Sequence, residues 1–193
     1  MGRPMRKKAF TLIELLIVVA IIVILAAIAV PNYLEAQTRS KVARTRNDLR
    51  TIAGALEAYR VDNNLYPRAF LGQALAERLY RITTPIAYVT ALPHDPFFRE
   101  TRSGLTGFDP AYIYCSGNIY HGSSTLYTAA PYLATIYSVS GRGPDGDIFY
   151  GGYCMAHPLA LASKAHQRGA YDPSNGTVSA GDLIRIGSGT LGE

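Results

Sequence analysis

One acid, Glu14, stands in an otherwise apolar stretch, residues 10–30, interrupted elsewhere only by Thr11. A carboxylate inside an apolar core costs about 2.5–3.5 kcal/mol on insertion scales, so it needs a partner or a place at the headgroup edge. Asp145 and Asp147 form a second candidate. They are hard oxygen donors two residues apart on a glycine-kinked backbone, which suits a flexible Ca²⁺ site completed by carbonyls. Pro144-Asp145-Gly146 is also a turn signal in its own right. Two acids are few against the roughly six to eight ligands Ca²⁺ takes, so a tight turn without metal is the competing reading. Cys115 and Cys154 either close a loop of about 40 residues as a disulfide or remain two buried thiols. His94, His121, His157 and His166 are scattered without metal-ligand spacing. No Gly-x-Ser-x-Gly elbow, phosphate-binding glycine loop or His-Glu-x-x-His helix occurs. The expectation is a protein that is not an enzyme.

Composition narrows the class. The chain has 193 residues and a formal net charge of +5, with 19 Lys and Arg against 14 Asp and Glu. Arg3, Arg6, Lys7 and Lys8 supply most of that excess; without them the balance is 15 against 14. A basic groove is therefore not written into the bulk of the protein, and no nucleic-acid partner is expected. Arg39, Lys41, Arg44, Arg46 and Arg50 read as a solvated helix face or as partners for neighbouring subunits. Two cysteines exclude a dense disulfide framework.

The elements that hold these residues fall into four zones. Residues 1–9 are a basic leader. Residues 10–30 would make a helix roughly 32 Å long, which matches a bilayer core of about 30 Å. The leader before it puts the N-terminus in the cytoplasm and the remainder outside. A cleaved signal peptide is the alternative, since Ala27-Ile28-Ala29 has small residues at the right spacing. Residues 31–62 continue the helix: Val42, Leu49, Ile52, Ala53, Leu56 and Tyr59 share a face. Pro31 should kink that helix without ending it, and Asp62-Asn63-Asn64 with Tyr66-Pro67 supplies the stop. Residues 63–193 form an extracytoplasmic head. It should have a short helix at 73–81 and strands at 111–115, 132–139, 148–150 and 182–186. The fold class is α+β, a long N-terminal helix packed on a small antiparallel sheet with irregular loops. Between Ser103 and Ala162 only Asp109, Arg142, Asp145 and Asp147 are charged. So little charge suggests a surface covered by neighbours or by the head's own loops.

Lys7-Lys8-Ala9 followed by Phe10-Thr11-Leu12-Ile13-Glu14 and the apolar run resembles the N-terminus of the type IV pilin family, which includes the pseudopilins of type II secretion. The resemblance implies a type IV pilin-like fold and cleavage by a prepilin peptidase between Ala9 and Phe10. It also implies methylation of the new Phe10 amine. The family normally has Gly where Ala9 stands, and Ala is also small. Glu14 and Pro31 agree with the family's assembly acid and helix proline. Tyr59 to Pro67 is similar to the helix-ending segment of the major pseudopilin branch. Leu92-Pro93-His94-Asp95-Pro96-Phe97 is similar to its Asp-Pro-aromatic turn. The loop Gly141-Arg142-Gly143-Pro144-Asp145-Gly146-Asp147 sits where that branch has a calcium-binding loop.

What the resemblance implies is a structural subunit of a helical filament, the pseudopilus of a type II secretion system, anchored in the inner membrane. Its partners would be copies of itself, minor pseudopilins, the peptidase, an inner-membrane platform and lipid. Glu14 would then pair with the Phe10 amine of the adjoining subunit. A type IV pilus subunit for adhesion, motility or DNA uptake is the close alternative. A membrane-tethered extracellular enzyme or binding domain is the alternative of another class. Processing gives the first prediction: mass spectrometry of the membrane fraction should find a mature chain starting at Phe10. A start at Val30 would mean signal-peptidase cleavage and would end the filament reading.

Overall fold

The computed structural model describes residues 10–67, 75–98, 110–116, 119–120, 127–128, 136–146, 171–172, 174 and 181–188. The expected strand at 148–150 lies outside them. The chain divides into two compact units, Met1–Thr38 and Arg39–Glu193.

Helix α1 runs Leu12–Asn63 without a break. It starts where Thr11 can cap it and ends at Asn64, which adopts a left-handed conformation with φ 61°. The Asn64 N–H donates to Arg60 O at 2.7 Å, and Asn63 Nδ2 donates to Tyr59 O at 2.9 Å. Those two bonds satisfy carbonyls that a helix end leaves without partners. Pro31 lies inside the helix. It removes one backbone donor, and the turns on either side carry the helix through it.

The two parts of α1 differ by composition. In the first unit the large apolar side chains are exposed, from Leu12 through Ile28 and on to Leu34. That part is long and apolar enough to cross a membrane. In the second unit α1 buries one face only: Val42, Thr45, Leu49, Ile52, Ala53, Ala55 and Leu56. Spacings of three and four residues keep these on one side of the helix. Burying an Ile or Leu such as Ile52 or Leu56, both fully buried, contributes about 1.5–3 kcal/mol each.

The partner of that face is a three-stranded antiparallel sheet in the order β1 (Ile113–Ser116), β4 (Ile136–Gly141), β5 (Leu183–Ser188). A separate two-stranded pair joins β2 (Ile119–Tyr120) to β3 (Tyr127–Thr128). Helix α2 (Leu75–Leu79) and a 3₁₀ turn (Tyr80–Ile82) complete the described elements. The expected helix at 73–81 is thus a short α-helical piece that tightens into a 3₁₀ turn. The β2–β3 pair had no counterpart in the sequence reading, since two residues per strand are too few to show a period.

Tyrosine does the work of aliphatic residues in this core. Tyr66, Tyr112, Tyr114 and Tyr137 are all at most 2 % exposed. Tyr66 and Tyr137 meet edge to face at 4.7 Å. Each buried ring needs somewhere for its hydroxyl. Tyr112 donates to Asp48 Oδ2 at 2.9 Å, and Tyr66 donates to the Glu57 carboxylate at 2.9 Å. Tyr88 donates to Asp62 Oδ2 at 2.7 Å. All three acceptors are on α1. Tyr114 and Ser116 both donate to Pro67 O, at 2.7 and 2.6 Å. Burial pushes the Tyr112 and Tyr114 hydroxyls well up and Tyr137 up to about 12, so these hydroxyls remain protonated. Gly187 on β5 is required by this packing, because a Cβ there would run into the Tyr137 ring.

Candidate functional site

Two places carry the residues singled out by type and spacing: the start of α1 and the loop that follows β4. At the helix start, Glu14 Oε2 accepts from Thr11 N at 2.9 Å and from Thr11 Oγ1 at 2.7 Å. Glu14 N donates back to Thr11 Oγ1 at 3.3 Å. This is a capping box, in which cap and third helical residue satisfy each other's backbone donors. It arises from the local spacing Thr11-Leu12-Ile13-Glu14 and needs no other part of the protein. Two of the three bonds end on Oε2, and Oε1 has no bond among the described residues. Phe10 is exposed beside it, as is Pro31 farther along the helix. Ala9 lies outside the described residues.

The loop after β4 is built from turns and one buried ion pair. Gly146 N donates to Gly143 O at 2.9 Å, and Gly146 itself has φ 74°, a conformation that favours glycine. Gly143 packs so closely on Gly181 that a Cβ would overlap the Gly181 carbonyl oxygen. Asp145 is partly buried in this turn, and Asp147 lies outside the described residues. The hard donors in the loop are therefore the Asp145 carboxylate and closely packed carbonyls, a donor set of the kind Ca²⁺ accepts. Among the described residues no group of three His, Cys, Asp or Glu could hold a metal.

What fixes this loop is Asp95, which the sequence reading placed only in a turn. Its Oδ2 accepts from Arg142 N at 2.7 Å and lies 3.6 Å from Arg142 Nη1; its Oδ1 accepts from Phe97 N at 2.9 Å. Both side chains are buried, at 0 % and 4 % exposure. The Arg142 guanidinium lies 4.9 Å from the Phe98 ring centre, a cation–π contact. Burial pushes the Asp95 carboxyl up, against the opposing pull of the Arg142 and Phe97 N–H groups and the Arg142 charge. Asp95-Pro96-Phe97 was visible as a turn, but nothing in the sequence pointed across 47 positions to Arg142.

Lys41, Arg44 and Arg46 of α1 have partners within the chain. Lys41 lies over the Phe97 ring at 5.9 Å and Arg46 over Tyr171 at 5.8 Å. Arg44 pairs with Asp48 at 3.8 Å. His94 makes an isolated bridge with Ala111 and is exposed. Cys115 is buried on β1 and disulfide-bonded; Cys154 lies outside the described residues.

A long capped helix with an exposed apolar first part and a small antiparallel head define a type IV pilin-like fold. Residues 4–30 match the prokaryotic N-terminal methylation motif, and residues 32–116 match the family described as type II secretion system protein G. A type II secretion system core protein G of Klebsiella pneumoniae is 35 % identical over 98 residues, covering 48 % of this chain and 70 % of the relative. That of Pseudomonas aeruginosa is 36 % identical over 98 residues, covering 48 % and 69 %. A type IV major pilin of Myxococcus xanthus is 46 % identical over 61 residues, covering 32 % of this chain and 28 % of the pilin. No solved structure matches. The chain belongs to the type II secretion system protein G family.

The Asp95–Arg142 pair yields a stability prediction. Asp95→Ala leaves a buried guanidinium and two backbone N–H groups without their acceptor, which should cost about 3–5 kcal/mol. Asp95→Asn keeps an acceptor oxygen and should cost less. Urea unfolding of the full-length protein in detergent reads both; unchanged midpoints would show that the pair contributes nothing to the fold.

Proposed function

We propose that this chain is a structural subunit of the pseudopilus of a type II secretion system, anchored by residues 10–30 with its head outside the cytoplasm. The family is one of structural pseudopilins, not of enzymes. The observation that carries the reading is the start of α1. There the capping box holds the single acid of the apolar segment by one oxygen and leaves the other available. Cleavage before Phe10 by a prepilin peptidase would create a charged amine with no place in lipid. In a stagger that brings one subunit's Phe10 beside another's Glu14, amine and carboxylate each satisfy the other, and the contact sets the axial register. The remaining contacts along the apolar segment are non-directional. Other copies of the chain, minor pseudopilins and an inner-membrane platform are the partners this reading requires.

The matched Myxococcus xanthus pilin favours a second reading, a type IV pilus subunit. That match is confined to 28 % of the pilin, so it speaks for a shared helix more than for a shared machine.

The 141–147 loop is the place for a Ca²⁺ ion in this reading, with Asp145 and Asp147 as carboxylate ligands and loop carbonyls as the rest. The ion would neutralise neighbouring acids and order a glycine-rich turn.

Two outcomes test these assignments. Glu14→Ala should insert and be processed normally, since it makes the segment more apolar and leaves the cleavage junction intact. It should form no filaments, because the incoming amine has lost its partner. Glu14→Gln should fail as well. Filaments counted by microscopy against processed subunit in the membrane give the answer; normal filaments from Glu14→Ala would refute the pairing. For calcium, the full-length protein in detergent should melt at a higher temperature with free Ca²⁺ than with chelator. The shift should vanish in the Asp145→Ala, Asp147→Ala double variant. Equal midpoints in wild type would remove the ion.

A further inference from the structure

Among the described residues two arginines are buried, and they differ in what meets them. Arg142 has the Asp95 carboxylate 3.6 Å from its Nη1. Arg78, on α2, is 8 % exposed and forms no ion pair with any described acid, its neighbour Glu77 included. Its Nη1 donates to Tyr114 O on β1 at 3.5 Å, beyond the usual range of about 2.7–3.2 Å. Its Nε is closed to solvent and has no acceptor. Burial pushes the guanidinium down from its ordinary value, and no neighbouring charge opposes the shift. Arginine nevertheless stays protonated in proteins. Arg78 is therefore a buried positive charge that lacks a counter-charge among the described residues.

Such a charge is costly while it stands alone, and the cost falls when a carboxylate meets it in good geometry. The adjoining surface suits an incoming group. Tyr80 is 57 % exposed and Arg81 follows it, also exposed, so the short stretch 78–81 offers a large ring and two positive charges. Tyr and Arg are among the residue types that dominate binding energy at protein interfaces. Every copy of the chain also carries exposed carboxylates on its head, Asp62 and Glu77 among them. One copy is thus complementary in charge to another.

We propose that Arg78 is the receiving half of an intersubunit ion pair, in which an Asp or Glu of a neighbouring copy docks on the exposed part of its guanidinium. This rests on the filament reading above. Folding has already stripped most of the water from the guanidinium, so docking adds the attraction without repeating that desolvation. The contact joins two different surfaces of the same chain. It is heterologous, and contacts of that kind repeat along an open helix.

The test compares full-length protein before and after assembly. Arg78→Met keeps the apolar stem and removes the charge. In detergent, at a concentration where the chain is monomeric, its melting temperature should equal or exceed that of wild type. In cells, filaments per processed subunit should fall by about tenfold or more, and Arg78→Lys should recover part of the loss. A lower melting temperature for the Arg78→Met monomer would show that the subunit itself employs the charge, and the proposal would fall. Wild-type filament yield from Arg78→Met would sink it equally. Cross-linking leaves Arg78 intact: a benzophenone amino acid in place of Tyr80 should, in sheared filaments, link to a second copy beside an Asp or Glu. Links confined to one chain count against the pairing. Acetate titration separates a free anion from a neighbour. A rise in melting temperature seen in wild-type monomer and absent from Arg78→Met would make the occupant a solute and overturn the intersubunit pair. Wild-type chain that makes no filaments overturns the filament reading itself, whereas wild-type filaments beside normal Arg78→Met filaments overturn this pairing alone.

Discussion

Buried tyrosine hydroxyls must find acceptors, and in this head many of those acceptors lie on one helix. Tyr112, Tyr66 and Tyr88 donate to Asp48, Glu57 and Asp62, three carboxylates spread along the second part of α1. Each bond ties a ring that fills the core to a fixed height on the helix. Apolar packing alone would allow the sheet to slide along a face of Leu, Ile and Ala. The hydroxyl–carboxylate bonds remove that freedom, because a slip of one turn would leave the buried Tyr66 and Tyr112 phenols without partners. The axial placement of the head on α1 thus depends on polar contacts at the edge of an otherwise apolar interface.

The loop after β4 is held by the same logic at shorter range. Asp95 gathers two backbone N–H groups and a guanidinium into one dry site, so the turn that precedes β1 and the loop that follows β4 cannot move apart. A buried pair of this kind need not stabilise more than apolar residues would. Its effect is geometric: it sets where the 141–146 turn sits and therefore where its oxygen donors sit. Gly143 against Gly181 completes the constraint from the β5 side.

In the first unit the structural requirement is reversed. Among the described residues the apolar side chains of the first part of α1 are exposed along its length. That stretch is long and apolar enough to cross a membrane. The one polar constellation there, Thr11 with Glu14, is self-contained. The acid therefore has part of its hydrogen bonding already satisfied by its own helix.

Helix α1, its apolar and amphipathic parts and its stop at Asp62-Asn63-Asn64 were all determined by the sequence itself. Their causes are local, acting over three or four residues, and a period of 3.6 displays them directly. The presence of strands near 113, 136 and 183 was legible from β-branched and aromatic content, although their ends were not. Tertiary structure alone decided which strands pair, that Tyr112 reaches Asp48 across 64 positions, and that Asp95 meets Arg142. Such contacts depend on strand order and register, and a shift of one residue in register reverses every side chain from one face to the other. No local pattern encodes that choice, because it is made by the summed packing of elements far apart in the chain.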